Sequence, residues 1–207
     1  MTGRAGRPVW LLALFWLTVR AGAIAAPAVV VIDPGHGGHD RGGIPGQWIA
    51  EKSVTLDTAR RLERVLRSMG HIRVVMTRSG DYFVSLGERT NIANAYRGRR
   101  AVFVSIHYNA GPRESAYGIE TYYDSWRAYR LAAAIQLRVI RAMNTVDRGI
   151  RRRGYWVLRR NLLPAVLVEC GFLTNRAEGR KALDARYRQR IAEAIADGIM
   201  RRGRIRS

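Results

Sequence analysis

Cysteine is almost missing from this chain of 207 residues: Cys170 stands alone, so no intramolecular disulfide can brace the fold. Lysine is nearly as scarce, with Lys52 and Lys181 the only two among 36 basic residues. Acids number 16, which leaves a formal net charge of +20. No apolar run approaches the roughly 20 residues that a helix needs to cross a bilayer. There is no internal repeat and no low-complexity linker to mark a second domain. The fold must therefore stand on one hydrophobic core, for which the length and the 47% hydrophobic content are sufficient.

What is present begins with an unusual leader. Arg4 and Arg7 precede an apolar run at 9–19, interrupted only by Thr18, and the small-residue segment AGAIAAP follows. These are the parts of a secretory signal peptide, with Ala23 and Ala25 placing cleavage after residue 25. An N-terminal membrane anchor is the alternative if the segment is not cleaved, and Arg20 inside the small-residue region keeps it open. The mature chain, 26–207, is expected in the periplasm or cell wall. Taking the three arginines 4, 7 and 20 from +20 leaves it +17. The preference for arginine over lysine fits biased codons, but the excess of cations over acids favours contact with anionic wall or membrane polymers.

Patterning predicts alternating strands and helices. AVVVID at 28–33, IRVVMT at 72–77 and AVFVSIHYNA at 101–110 read as strands, followed by GIETYY at 118–123, YWVLR at 155–159 and AVLVECGF at 165–172. Helices are expected at 51–70, stopping at Gly70, at 85–97 as a polar and exposed element, at about 125–146, and at 184–202. This order argues for a single three-layer α/β domain with a mostly parallel twisted sheet flanked by helices. In such sheets functional groups gather at the carboxyl ends of strands. Three predicted strands end in His36, His107 and Glu169, residues that can hold a metal or move a proton. A carboxylate ending the apolar run AVLV is costly to bury unless it is paired or bound to a metal. The glycines around His36 let the backbone turn sharply and leave space beside the imidazole.

The segments IDPGHGGHDRGG, Glu51-Lys52, TRSGDYFVSLGERTNIAN, SIHYNA, GIETYY and PAVLVECGFLTN carry a resemblance across 28–200. In this order they resemble the zinc-dependent N-acetylmuramoyl-L-alanine amidases. The resemblance implies that His36, Glu51 and His107 bind one zinc ion and that Glu169 is the catalytic acid and base. Two imidazoles and one carboxylate would leave a fourth zinc position for water, as catalytic sites do. Read without the family, Glu51 is a solvated acid at a helix start, where the helix dipole favours it anyway. The implied activity is hydrolysis of the amide between N-acetylmuramic acid and the L-alanine of the peptidoglycan stem peptide. A zinc peptidase or amidase acting on another amide of the stem peptides is the alternative. A cationic nucleic-acid binder is disfavoured, because no RNA motif with interleaved aromatics is present.

Further residues carry smaller expectations. Asp33 is a candidate to orient a ligand histidine or to form a turn, and Asn109 a candidate to bond substrate or to cap a strand end. Arg78 and Arg89 are expected in structural ion pairs, His71 on the surface, and Cys170 in the core. His39 lies outside the family's ligand pattern. The chain departs from that pattern at Asp40-Arg41-Gly42-Gly43, where Arg41 puts a cation at the rim of the site. Some relatives that await an activating partner carry a blocking helix after the G-x-E strand. Here DSWRAYRLAAAIQ follows Tyr123 directly, so an open monomer without an autoinhibitory insertion is expected.

Overall fold

The computed structural model describes residues 25–202. The expected signal peptide, apart from Ala25, and the end of the basic tail lie outside the described residues. The elements run β1 (Val29–Pro34), α1 (Glu51–Ser68), β2 (Arg73–Met76), α2 (Leu86–Asn94), β3 (Ala101–Asn109) and β4 (Ile119–Tyr123). They continue with α3 (Trp126–Met143), β5 (Asp147–Arg152), α4 (Trp156–Arg159), β6 (Ala165–Phe172), α5 (Arg176–Leu183) and α6 (Ala185–Arg201). Six strands form one sheet in the order β2-β1-β3-β6-β4-β5. Strands β2, β1, β3 and β6 are parallel, whereas β4 runs antiparallel to β6 and carries β5 parallel to itself.

The sheet is buried on both faces, which is why its central strands read as unbroken apolar runs. One face presents Val30, Ile32, Val104, Ile106, Val166 and Val168 to Leu62, Leu66, Leu131, Ile135, Ile191 and Ile195 of α1, α3 and α6. The opposite face, with Val31, Phe103, Ala165 and Leu167, meets a smaller set, chiefly Ile92 and Ala93 of α2, Val157 and Leu158 of α4, and Leu163. Three long helices cover the first face, and two short ones cover the second. The thin cover leaves the carboxyl ends of β1, β3 and β6 open on that side. Among the described residues no helix is long and apolar enough to cross a membrane.

Local chemistry explains the helix ends. Ser85 and Glu88 form a reciprocal capping box at the start of α2. Asn175 accepts from the backbone of Ala177 and Glu178 to start α5, and Asp184 accepts from Arg186 to start α6. After α1, Gly70 takes φ 75°, the left-handed stop expected of it.

Three expectations change. Within the strand expected at 155–159, Trp156–Arg159 form the helical turn α4 instead. Adjacent Val157 and Leu158 both point inward while Trp156 stays exposed, a pattern that suits a helical turn and not strand alternation. The sheet position beside β4 is filled instead by β5, whose sequence DRGIRR has too little apolar content to signal a strand but suits a solvated edge. Helix α2 is not simply exposed, since Arg89, Thr90 and Ala93 are buried.

Candidate functional site

Strand β1 delivers its last peptide to β3 through Gly35 N–H, which donates to Ile106 O at 2.9 Å. The next residue, His36, has φ 61°, a conformation that costs a non-glycine residue roughly 1–3 kcal/mol. It is held there from both ends. The guanidinium of Arg89 donates to His36 O at 2.7 Å, and the His36 ring bonds through Nδ1 to Asp40 Oδ2 at 2.9 Å. The glycines at this corner are spaces that the site itself fills. A Cβ on Gly35 would lie 2.3 Å from Cε1 of His107, and one on Gly42 would lie 2.5 Å from the His36 ring and 2.7 Å from Glu51 Oε2.

Glu51, the first residue of α1, reaches between the two histidines. Its Oε2 lies 3.1 Å from His36 Nε2 and its Oε1 lies 3.0 Å from His107 Nδ1. The backbone N–H of Tyr108 donates to the same Oε1 at 2.9 Å. One ligand atom from each of His36, Glu51 and His107 falls within 4.8 Å of the others. Burial opposes charge on Glu51, but hydrogen bonds from His107 and His36 prevail and lower its pKa to about 2. Burial likewise disfavours a charged His36, and the carboxylates of Glu51 and Asp40 outweigh it and raise the imidazole pKa. Two nitrogens and a buried carboxylate oxygen at this spacing fit a metal bound at about 2.0–2.2 Å to each donor. A metal would displace the proton that Glu51 stabilises on Nε2, while Asp40 keeps the one on Nδ1, so occupancy should fall as pH falls.

Glu169 stands beside this trio, directly paired with His107 across β3 and β6. Its Oε2 is buried with no hydrogen-bond partner among the described residues. Burial, followed by the neighbouring charges of Glu51 and Glu120, pushes its carboxyl pKa well above the ordinary range. A cavity of about 460 Å³ opens next to the histidines, with Phe83, Leu86 and Trp156 on its apolar wall.

The structure thus brings together the four principal residues inferred from sequence and relocates the supporting ones. Asp33 does not reach a histidine. Its Oδ1 accepts from Thr77 at 2.6 Å and Arg89 at 2.7 Å, and its Oδ2 accepts from Ser105 at 2.7 Å. It steadies His36 only indirectly, through Arg89, and Asp40 takes the orienting role. Arg89 makes the expected ion pair; Arg78 instead donates to the carbonyls of Pro34, Gly35, Lys52 and Gly80. Asn109 donates to Glu120 Oε1 at 2.7 Å. His39 stacks on Phe83, His71 is exposed, and Cys170 is buried on the far face of β6. Sequence reasoning passed over Asp40 and Glu120. Asp40 was visible four residues after His36, but only the turn that bridges Gly37 to Asp40 brings it back to the ring.

Known proteins share this fold over most of the chain. The family model described as N-acetylmuramoyl-L-alanine amidase matches residues 30–201. The chain is 40% identical over 175 residues to N-acetylmuramoyl-L-alanine amidase LytC of Bacillus subtilis, covering 83% of this chain and 34% of that protein. It is 36% identical over 174 residues to the probable cell wall amidase LytH of Staphylococcus aureus, covering 82% of this chain and 56% of that one. The chain therefore spans about a third to a half of the length of these two relatives. Among solved structures, an N-acetylmuramoyl-L-alanine amidase from Clostridium difficile 630 superposes with a TM-score of 0.79 at 36% identity, covering 84% of this chain and 96% of that one. With the family model matching residues 30–201, most of its length, the chain belongs to the N-acetylmuramoyl-L-alanine amidase family.

Proposed function

We propose that this protein is a zinc-dependent hydrolase that cleaves the amide between N-acetylmuramic acid and the L-alanine of the peptidoglycan stem peptide. The observation that carries the reading is the convergence of His36, Glu51 and His107 beside a carboxylate, Glu169, whose buried oxygen has no partner. Zinc suits this donor set, since two histidines and one glutamate recur in catalytic sites. When bound, it supplies Lewis-acid chemistry, lowering the pKa of water to about 7 and polarising a carbonyl. Asp40 engages Nδ1 of His36, which leaves Nε2 turned toward Glu51 and the metal position. Glu169 accepts the proton of the attacking water and returns it to the leaving amine nitrogen. Its raised pKa suits the second half of that exchange, when a protonated carboxyl must donate.

The protein is read as exported, on the strength of its N-terminal segment, to act on peptidoglycan as a monomer. Only Asp124 and Ser125 separate β4 from α3, which supports a site open without removal of a plug. Hydrolysis of a soluble muropeptide tests the assignment. The zinc-loaded protein should cleave it and lose activity on chelation. Glu169→Gln should keep stoichiometric zinc yet lose about 10²–10⁴-fold in rate, whereas His107→Ala should lose the metal itself. Full zinc occupancy in His107→Ala would overturn the metal-ligand role, and near-normal turnover in Glu169→Gln would overturn the acid–base role.

A further inference from the structure

Beyond Glu169 the sheet continues into a cluster that the hydrolytic step does not use. Glu120 on β4 lies directly opposite Glu169 on β6. Its side chain is buried, and its Oε2 has no hydrogen-bond partner among the described residues. Two guanidiniums from β5 flank that oxygen, with Arg151 Nε at 3.4 Å and Arg148 Nε at 3.7 Å. These distances bring charge together without good hydrogen bonds. Arg148 Nε is itself buried and unbonded, and the Arg148 guanidinium rests on the Phe172 ring, 4.9 Å from its centroid. The Arg151 side chain is half exposed and makes no hydrogen bond among the described residues. Glu120, together with the Tyr117 carbonyl that accepts from Arg148 Nη1 at 3.4 Å, therefore holds the two arginines in place without saturating them.

We propose that Arg151 and Arg148 form a carboxylate-recognition subsite for the stem peptide, held in register by Glu120. The proposal rests on the amidase reading, since it places an acidic peptide at this sheet edge. Charge favours an anion there: two cations face one buried acid. Reach also fits. Adjacent strands lie about 4.8 Å apart, so the β5 backbone is roughly 10 Å from that of β6. An extended peptide covers about 3.3–3.6 Å per residue. An arginine side chain closes most of the remaining gap, which puts the recognised carboxylate one or two residues beyond the scissile amide. A planar guanidinium offers paired N–H donors to a carboxylate, giving direction as well as charge. Glu120, locked by Asn109 at 2.7 Å, acts as the positioning residue.

The probes are N-acetylmuramoyl-L-alanyl-D-glutamic acid and its neutral diamide. Their dissociation constants are measured by calorimetry on zinc-loaded Glu169→Gln protein, so that neither is consumed. The acid should bind at least about tenfold tighter than the diamide, the fold-change of one charge-assisted hydrogen bond. Adding Arg151→Gln, alone or with Arg148→Gln, should shrink that ratio to below about threefold while zinc stoichiometry is kept. Equal affinity for the two ligands before any arginine is changed would overturn the subsite. So would a ratio that survives in a folded, zinc-loaded double variant. Failure of the unmutated enzyme to cleave either compound would count against the amidase reading instead, and the binding ratio would still decide the subsite on its own.

Discussion

Removing the charge of Glu169 should stabilise the metal-free protein even as it removes activity. The carboxylate is driven toward its neutral form by burial and by Glu51 and Glu120 nearby. A group whose folded pKa lies above its unfolded value makes the folded state lose stability as pH rises from the unfolded value toward the folded one. For glutamate that loss begins near pH 4.3 and continues as pH rises through the folded value. Glutamine at this position is neutral throughout. It also keeps a donor for Glu120, whose buried Oε2 has no hydrogen-bond partner among the described residues, at every pH, whereas the glutamate offers one only while protonated. An unsatisfied buried polar group costs about 1–3 kcal/mol, and in a chain of this size each kcal/mol moves Tm by about 2–4 °C. Calorimetric scans of apo protein should therefore show Glu169→Gln melting several degrees above the parent at neutral pH. The difference should shrink as pH falls and vanish well below pH 4.3, where the glutamate is protonated in both states. A variant that melts at or below the parent at neutral pH, or a gap that does not depend on pH, would refute this electrostatic account of the site.

Other expectations follow from single contacts. Arg89→Met leaves Asp33 charged and buried and frees the carbonyl of His36, so urea unfolding should show a loss of about 3–5 kcal/mol; a loss below about 1 kcal/mol would mean that Arg89 does not hold this corner. Gly35→Ala puts a methyl group into the space of the His107 ring and should cost about 1–3 kcal/mol; zinc affinity should fall with it, and unchanged zinc affinity would mean that the ring has room to spare. The arginines at 151–153 and 159–160 and in the tail should make sacculus binding by the Glu169→Gln protein weaken with salt, because exposed charges act over only about 8 Å at physiological ionic strength. Cleavage of a small muropeptide should change much less, and binding that stays flat across a salt series would remove the arginines from targeting.

The residues legible from sequence were those whose setting is both local and apolar. His36, His107 and Glu169 each end a run of β-branched or aliphatic residues, and those runs are the central parallel strands. Glu51 was different. An acid at a helix start has an ordinary explanation, and only the family resemblance singled it out before the structure placed it between two imidazoles. Strand β5 was invisible because an edge strand need not be apolar, and its arginines are what the edge exposes. Helix α4 was misread because four residues cannot display a period. The orienting role considered for Asp33 falls to Asp40 for a reason no linear reading supplies: Asp33 ends inside the sheet among Thr77, Arg89 and Ser105, while a turn folds Asp40 back onto the ring of His36.

The most direct measurement is digestion of purified sacculi by the zinc-loaded protein, with the released fragments and new termini identified by mass spectrometry. Cleavage at the proposed bond yields glycan strands bearing free lactyl carboxyl groups and stem peptides with a free L-alanine amino group. That pair should accumulate with time and be absent from the Glu169→Gln digest. New termini inside the stem peptide, with alanine still joined to the sugar, would contradict the proposed activity while leaving the metal site intact.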